Sequence, residues 1–201
     1  HDAIVNSGFD VLIIPVLPSG QVDLEALENL LATDPDRPSL VSVMGVNNET
    51  GVIQPVEQVW QLARKYHAVS HCDAVQMAGK IAINFKENGP DMLSLSSHKI
   101  GGPRGVGALV ADNALELSPV IRGGGQEKNR RAGTENVAGI AGFGAATLAA
   151  CEQLGSFSKL AALRDGLEAR LLSQSPAPVT IIGKDSPRLA NTCYFKKSFY
   201  R

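Results

Sequence analysis

Cysteine is scarce in this 201-residue chain: Cys72, Cys151 and Cys193 are odd in number and share no paired spacing. That argues against a disulfide framework and a zinc ribbon, and reduced thiols are expected. No run of about 18 apolar residues appears, and no basic stretch followed by an apolar segment opens the chain, so neither a membrane span nor a secretory leader is expected. Neither sign of charge is in excess. Nineteen basic residues stand against twenty acidic ones, a net charge of -1, so no global field draws nucleic acid or an anionic membrane, and any anion bound is small and held locally. A cytoplasmic setting is expected. An initiating Met is also lacking, and Ser198-Phe199-Tyr200-Arg201 shows no apolar period that would close a core, so a fragment is expected.

What the chain does have is 44% hydrophobic residues, enough for one substantial core and part of a second domain. Helical periods alternate with short apolar runs bounded by Gly, Pro, Asn or Asp, the pattern of an α/β domain with a largely parallel sheet. Strands are predicted at 11–16, 39–43, 68–71, 92–95 and 106–110. Helices are predicted at 23–31, with Asp23 as N-cap, and at 55–66, with Pro55 in the first turn. From Asn136 the texture changes: residues 137–154, rich in Ala, Gly and Leu, read as a long buried helix, 158–173 as an amphipathic one, and 179–182 as a strand. Cys193 is expected in another. The junction divides the chain into 1–136, a large domain, and 137–201, a linking helix with an incomplete smaller domain.

In a doubly wound sheet, ligands bind beyond the carboxyl ends of the strands. Four chemically loaded segments fall there: Asn47-Asn48-Glu49-Thr50-Gly51, Asp73-Ala74-Val75-Gln76, Ser96-Ser97-His98-Lys99, and the Gly- and Arg-rich loop 122–136. A lysine beside His98 and before a Gly-rich turn suits covalent carbonyl chemistry, in which burial and cationic neighbours activate an amine. Asp73 supplies the second requirement, a carboxylate that keeps a pyridinium ring protonated as an electron sink. Gln76 is placed to reach the ring's phenolic oxygen. Taken singly, each has a bland reading: a surface polar triplet, a helix cap, a turn. Together, at the ends of successive strands, they define a site.

His71-Cys72-Asp73-Ala74-Val75-Gln76, the run from Leu95 through Lys99 to Leu109, and Gly123-Gly124-Gly125-Gln126-Glu127 through Gly133-Thr134-Glu135-Asn136 resemble the cysteine desulfurases that serve iron–sulfur cluster assembly. The resemblance runs from His1 to about Phe195 and implies the large domain of a pyridoxal-phosphate-dependent transferase of fold type I, a mostly parallel sheet with flanking helices, plus the beginning of a smaller α+β domain. It implies Lys99 as the Schiff-base lysine, Asp73 against the pyridine nitrogen, and Gln76 and Asn48 on the ring's hydroxyl side. Ser96 and His98, with Ser97 in the same segment, are implied to bind the phosphate. Thr134 is implied to reach the cofactor of a neighbouring subunit in a homodimer, and His1 to stack on the ring as a catalytic residue.

Two departures stand out. No Gly-Ala-Thr-type phosphate loop precedes His1, and no cysteine lies in a Ser/Gly-rich loop of the kind that accepts sulfur. The resemblance implies conversion of L-cysteine to alanine, the sulfur passing through an enzyme persulfide to a scaffold or carrier protein. The alternatives are another class V enzyme, a selenocysteine lyase or aminotransferase, and an inactive fragment acting as a binding module. His67, His71 and Cys72 do not make a metal site, since His71 and Cys72 point to opposite faces of a strand. Arg122, Lys128, Arg130 and Arg131 lack the interleaved aromatics of a nucleic-acid surface.

Overall fold

The computed structural model describes residues 8–86 and 88–197; His1 lies outside them. The first helix among the described residues, α1 (Leu24–Thr33), starts where expected, the Asp23 carboxylate accepting from the Ala26 N–H at 3.0 Å. It leads to strand β1 (Leu40–Met44), helix α2 (Val56–Lys65), β2 (Val69–Asp73) and β3 (Met92–Ser96). A single 3-10 turn, Ser97–Ile100, follows β3, and β4 (Gly107–Ala111) returns beside it. The sheet order is β1-β2-β3-β4. The first three strands are parallel and β4 is antiparallel to β3, so the sheet is mostly parallel, as expected.

Alternation along the strands decides which side is covered. Val41, Val43, Cys72 and Leu93 point to one face and pack with Leu27, Leu31, Val59, Trp60 and Ala63 of α1 and α2. Ser70 shares this face at 1% exposure. Its hydroxyl donates to the Asp91 carboxylate at 2.7 Å and accepts from the Asp91 N–H at 3.0 Å, so no polar atom there is stranded. On the opposite face Leu40, Met44 and Leu109 are exposed.

Residues 11–16 form no strand; only Val16 makes a bridge, to Val22 across a tight turn. Pro15 removes a backbone donor there and Pro18 another just beyond, which confines such a run to an edge. Leu12 and Ile13 stay exposed. The long helix α3 (Val137–Phe157) and α4 (Leu160–Gln174) form, but α3 is not the buried helix expected, and α4 is not the amphipathic one expected, since it buries Glu168 and leaves Leu163 and Leu167 exposed. Gly139 is the one buried residue of α3 among those described. Its small residues meet the body along a single line: added methyl groups at Gly142, Gly102 and Gly79 would approach Pro103, Ala146 and Ala150. The rest of its surface has no described element over it. By length and composition this helix could cross a membrane, as could the core helix of a soluble protein.

After α4 the chain makes a two-stranded antiparallel ribbon, β5 (Val179–Ile181) with β6 (Phe195–Lys197). Cys193 lies just before β6 rather than in a strand. The segment between the two strands latches onto the turn that follows β1. The Ile53 N–H donates to the Pro187 carbonyl at 2.8 Å, and Leu189 N–H to the Gly51 carbonyl at 2.9 Å. Gly51 has φ 72°, and a side chain there would meet Thr192 at 2.6 Å, so the turn requires glycine on both counts.

Candidate functional site

The chemistry gathers at the carboxyl ends of the three parallel strands. After β1, the Asn47 carboxamide oxygen accepts from the Glu49 and Thr50 N–H groups at 3.0 and 2.9 Å. This closes an Asx-type turn that carries Asn48 exposed at its tip. Asp73 is the last residue of β2. One of its oxygens accepts from the Val75 N–H at 3.0 Å, which fixes the rotamer and leaves the other oxygen for a ligand. Gln76 lies in the turn that follows, where the Lys80 ammonium donates to both its carbonyl and its carboxamide oxygen.

Beyond β3, the Ser96 hydroxyl and His98 Nδ1 lie 2.8 Å apart, a pair of polar groups sharing one side of the 3-10 turn. Lys99 is exposed one residue further on, and Gly101 at φ 86° ends the turn. Ser97, read from the sequence as part of the same phosphate-binding run, points the other way. It is fully buried, and its hydroxyl is the one buried side-chain oxygen or nitrogen among the described residues without a hydrogen-bond partner. The turn rotates successive side chains to different sides, so Ser96 and Ser97 cannot share one ligand face.

Thr134 is exposed in the loop between β4 and α3. That loop is shaped by Gln126, whose carboxamide oxygen accepts from the Gly133 N–H at 3.3 Å, and by three successive left-handed residues, Glu127, Lys128 and Asn129. The structure thus brings Asp73, Gln76, Ser96, His98 and Lys99 to adjacent strand ends, with Asn48 on the neighbouring turn. No described contact joins the Thr134 side chain to them.

Two residues of this region carry more than the sequence suggested. His71 lies two positions before Asp73 on the same strand face. Its Nδ1 is 2.8 Å from the Ser42 hydroxyl on one side and its Nε2 2.8 Å from the Ser94 hydroxyl on the other. Burial holds its imidazole below the usual value of 6.5, against the opposing pull of Asp73. Lys80 is lowered from its ordinary range by burial and by the nearby Lys99. The spacing of four between Gln76 and Lys80 was the available signal.

Two of the three cysteines, Cys72 and Cys193, are poor nucleophiles here. Burial, reinforced by Asp73, pushes the Cys72 thiol up to about 12, and Cys193 is raised by burial and by Glu168. Among the described residues, no group of three His, Cys, Asp or Glu side chains could hold a metal ion.

A parallel sheet with a lysine and an aspartate at adjacent strand ends is the frame of a pyridoxal-phosphate transferase, and the comparison with known families agrees. The Aminotransferase class-V family model matches residues 2–197, so the chain belongs to that family. Among curated relatives, it is 42% identical over 199 residues to "Cysteine desulfurase 2" of Trichormus variabilis, covering 96% of this chain and 49% of that protein. It is 44% identical over 186 residues to a cysteine desulfurase of Bradyrhizobium diazoefficiens, covering 92% and 46%. Among solved structures, a NifS-like protein from Rickettsia africae superposes with a TM-score of 0.91 at 39% identity, covering 96% of this chain and 54% of that one. The chain therefore spans about half the length of the curated relatives it matches.

Proposed function

We propose that this chain is the cofactor-holding part of a pyridoxal-phosphate-dependent cysteine desulfurase, acting on L-cysteine as a homodimer and passing sulfur to an iron–sulfur scaffold or carrier protein in the cytoplasm. The observation that carries the reading is the alignment of Asp73 at the end of β2 with the Ser96–His98 pair and Lys99 beyond β3. The donor set fits the cofactor: an amine to hold it, a carboxylate with one uncommitted oxygen, and a hydroxyl–imidazole pair for its phosphate. When bound, pyridoxal phosphate supplies an electron sink for charge developing at the substrate's α-carbon.

Each residue has a part in that scheme. Lys99 holds the cofactor and, once released, moves the α-proton. Asp73 accepts from the ring nitrogen and keeps it protonated, and Gln76 and Asn48 address the ring's hydroxyl side. Ser96 and His98 hold the phosphate, while Thr134 reaches toward the phosphate of a second copy. The thiolate that takes the sulfur is not Cys72, which is buried and raised to about 12.

The test is a titration of the purified protein with pyridoxal phosphate, following the visible absorption band of the lysine-bound cofactor, repeated with Lys99→Ala. A band present in the native protein and absent from the variant is the expected result. A soluble, folded protein that gives no band fits the inactive binding module instead. Alanine formed from L-cysteine, set against selenocysteine lysis and amino-group transfer, then separates the desulfurase from the other class V activities.

A further inference from the structure

We propose that Lys80 is a positioning residue for this site: it orients the Gln76 carboxamide so that its NH2 group, and not its oxygen, faces the ring's phenolic oxygen. The inference rests on the cofactor reading above. Residues 74–81 after β2 turn helically, with Ala78 N–H bonded to the Ala74 carbonyl at 3.0 Å and Ile81 N–H to the Met77 carbonyl at 3.1 Å. A spacing of four therefore stacks Lys80 over Gln76. The Lys80 ammonium donates to the Gln76 backbone carbonyl at 3.0 Å and to its carboxamide oxygen at 3.3 Å.

An ammonium has three donors and no acceptor, so the carboxamide atom facing it must be the oxygen. The usual ambiguity between the two ends of an amide is removed by chemistry. With the oxygen committed, the NH2 group is the end left to meet a ligand. A phenolate needs a donor there; the flipped amide would set a carbonyl oxygen against it. The same two acceptors explain why Lys80, although near Lys99, is a poor candidate to hold the cofactor itself, since its amine is already committed as a donor. Half-burial and the neighbouring charge of Lys99 lower the Lys80 amine, so its position is maintained against an electrostatic cost.

A purely structural role is the rival: Lys80 capping the Gln76 carbonyl and steadying the turn. The two are separated by a double-mutant cycle in the intact protein. Affinity for pyridoxal phosphate is measured by titration of the visible band for the native protein, Lys80→Met, Gln76→Ala and the double variant. Thermal melting of each cofactor-free protein is measured alongside. If Lys80 orients the amide, Lys80→Met weakens binding about three- to tenfold, the value of one net hydrogen bond. Gln76→Ala does about the same, and the double variant loses no more than the larger single. Lys80→Gln, which keeps a donor but is too short to reach both acceptors, runs the same cycle if Lys80→Met does not fold, with the same coupling expected. Unchanged affinity in the Lys80 variant, or a loss that repeats in full in the Gln76→Ala background, overturns the proposal. A native protein without any band overturns the cofactor reading itself, and this inference with it.

Discussion

Ser97 and Gly102 form a residue-scale contact with a testable energy. A methyl group on Gly102 would fall 2.2 Å from the Ser97 hydroxyl and 3.0 Å from the Ala146 side chain, so the glycine is demanded by the approach of α3 and the 3-10 turn. Because the Ser97 hydroxyl is buried without a partner, it carries a desolvation cost of about 1–3 kcal/mol. Ser97→Ala should therefore be neutral or stabilise by up to about 1 kcal/mol in urea unfolding, whereas Gly102→Ala should destabilise by about 1–3 kcal/mol through overpacking. Asp73 and Lys99 were legible in the sequence because a strand end announces itself by where the apolar run stops. The opposed directions of Ser96 and Ser97 were not, since adjacent serines are alike until the turn twists them apart. Nor was the service of Lys80 to Gln76 legible, because it exists only once residues 74–81 coil.

At the scale of elements, the join between α4 and the latch at residues 182–192 rests on one buried ion pair. Arg188 meets Glu168 through two hydrogen bonds, 2.7 and 3.0 Å, with 4% and 7% of the side chains exposed. Arg164 adds a bond to the Leu189 carbonyl at 2.8 Å. Removing one partner strands the other charge, so Arg188→Met alone should cost about 3–5 kcal/mol. Arg188→Met combined with Glu168→Leu should recover much of that loss in thermal melting. The helices and core strands were readable because their apolar periods are regular and because Asp23 caps α1 as a first-turn acceptor. The burial of α3 was misread because Ala- and Gly-rich composition states what a helix tolerates against its surface, not whether anything lies there. The run at 11–16 was misread because apolar content outweighed its one proline, Pro15.

For the whole molecule, three of the perturbed groups give stability steps at separate pH values. His71 titrates below 6.5 in the folded chain because it is half-buried, so the unfolded chain binds the proton more readily and stability falls as pH drops below 6.5. Glu168 is held below 4.5, first by its hydrogen bonds to Arg188, so a second loss begins as pH falls below 4.5. Cys72 works in the opposite sense: its thiol, raised from 9.0 to about 12, gives stability that is full below 9.0 and fades as the pH climbs toward 12. Melting temperature against pH should show these losses, and His71→Asn should flatten the step near neutrality while leaving the acid step in place.

The latch also ties distant parts of the chain. Val52, on the turn that carries Asn48, bridges Arg188, so well over a hundred residues must be made before the partner exists. At a synthesis rate of about 5–20 residues per second, that turn waits on the order of ten seconds on the ribosome without its clasp. The amide-bearing turn of the site is thus secured only once residue 188 has been made, and ribosome-bound lengths ending before residue 188 should leave the turn open to proteases that longer lengths resist.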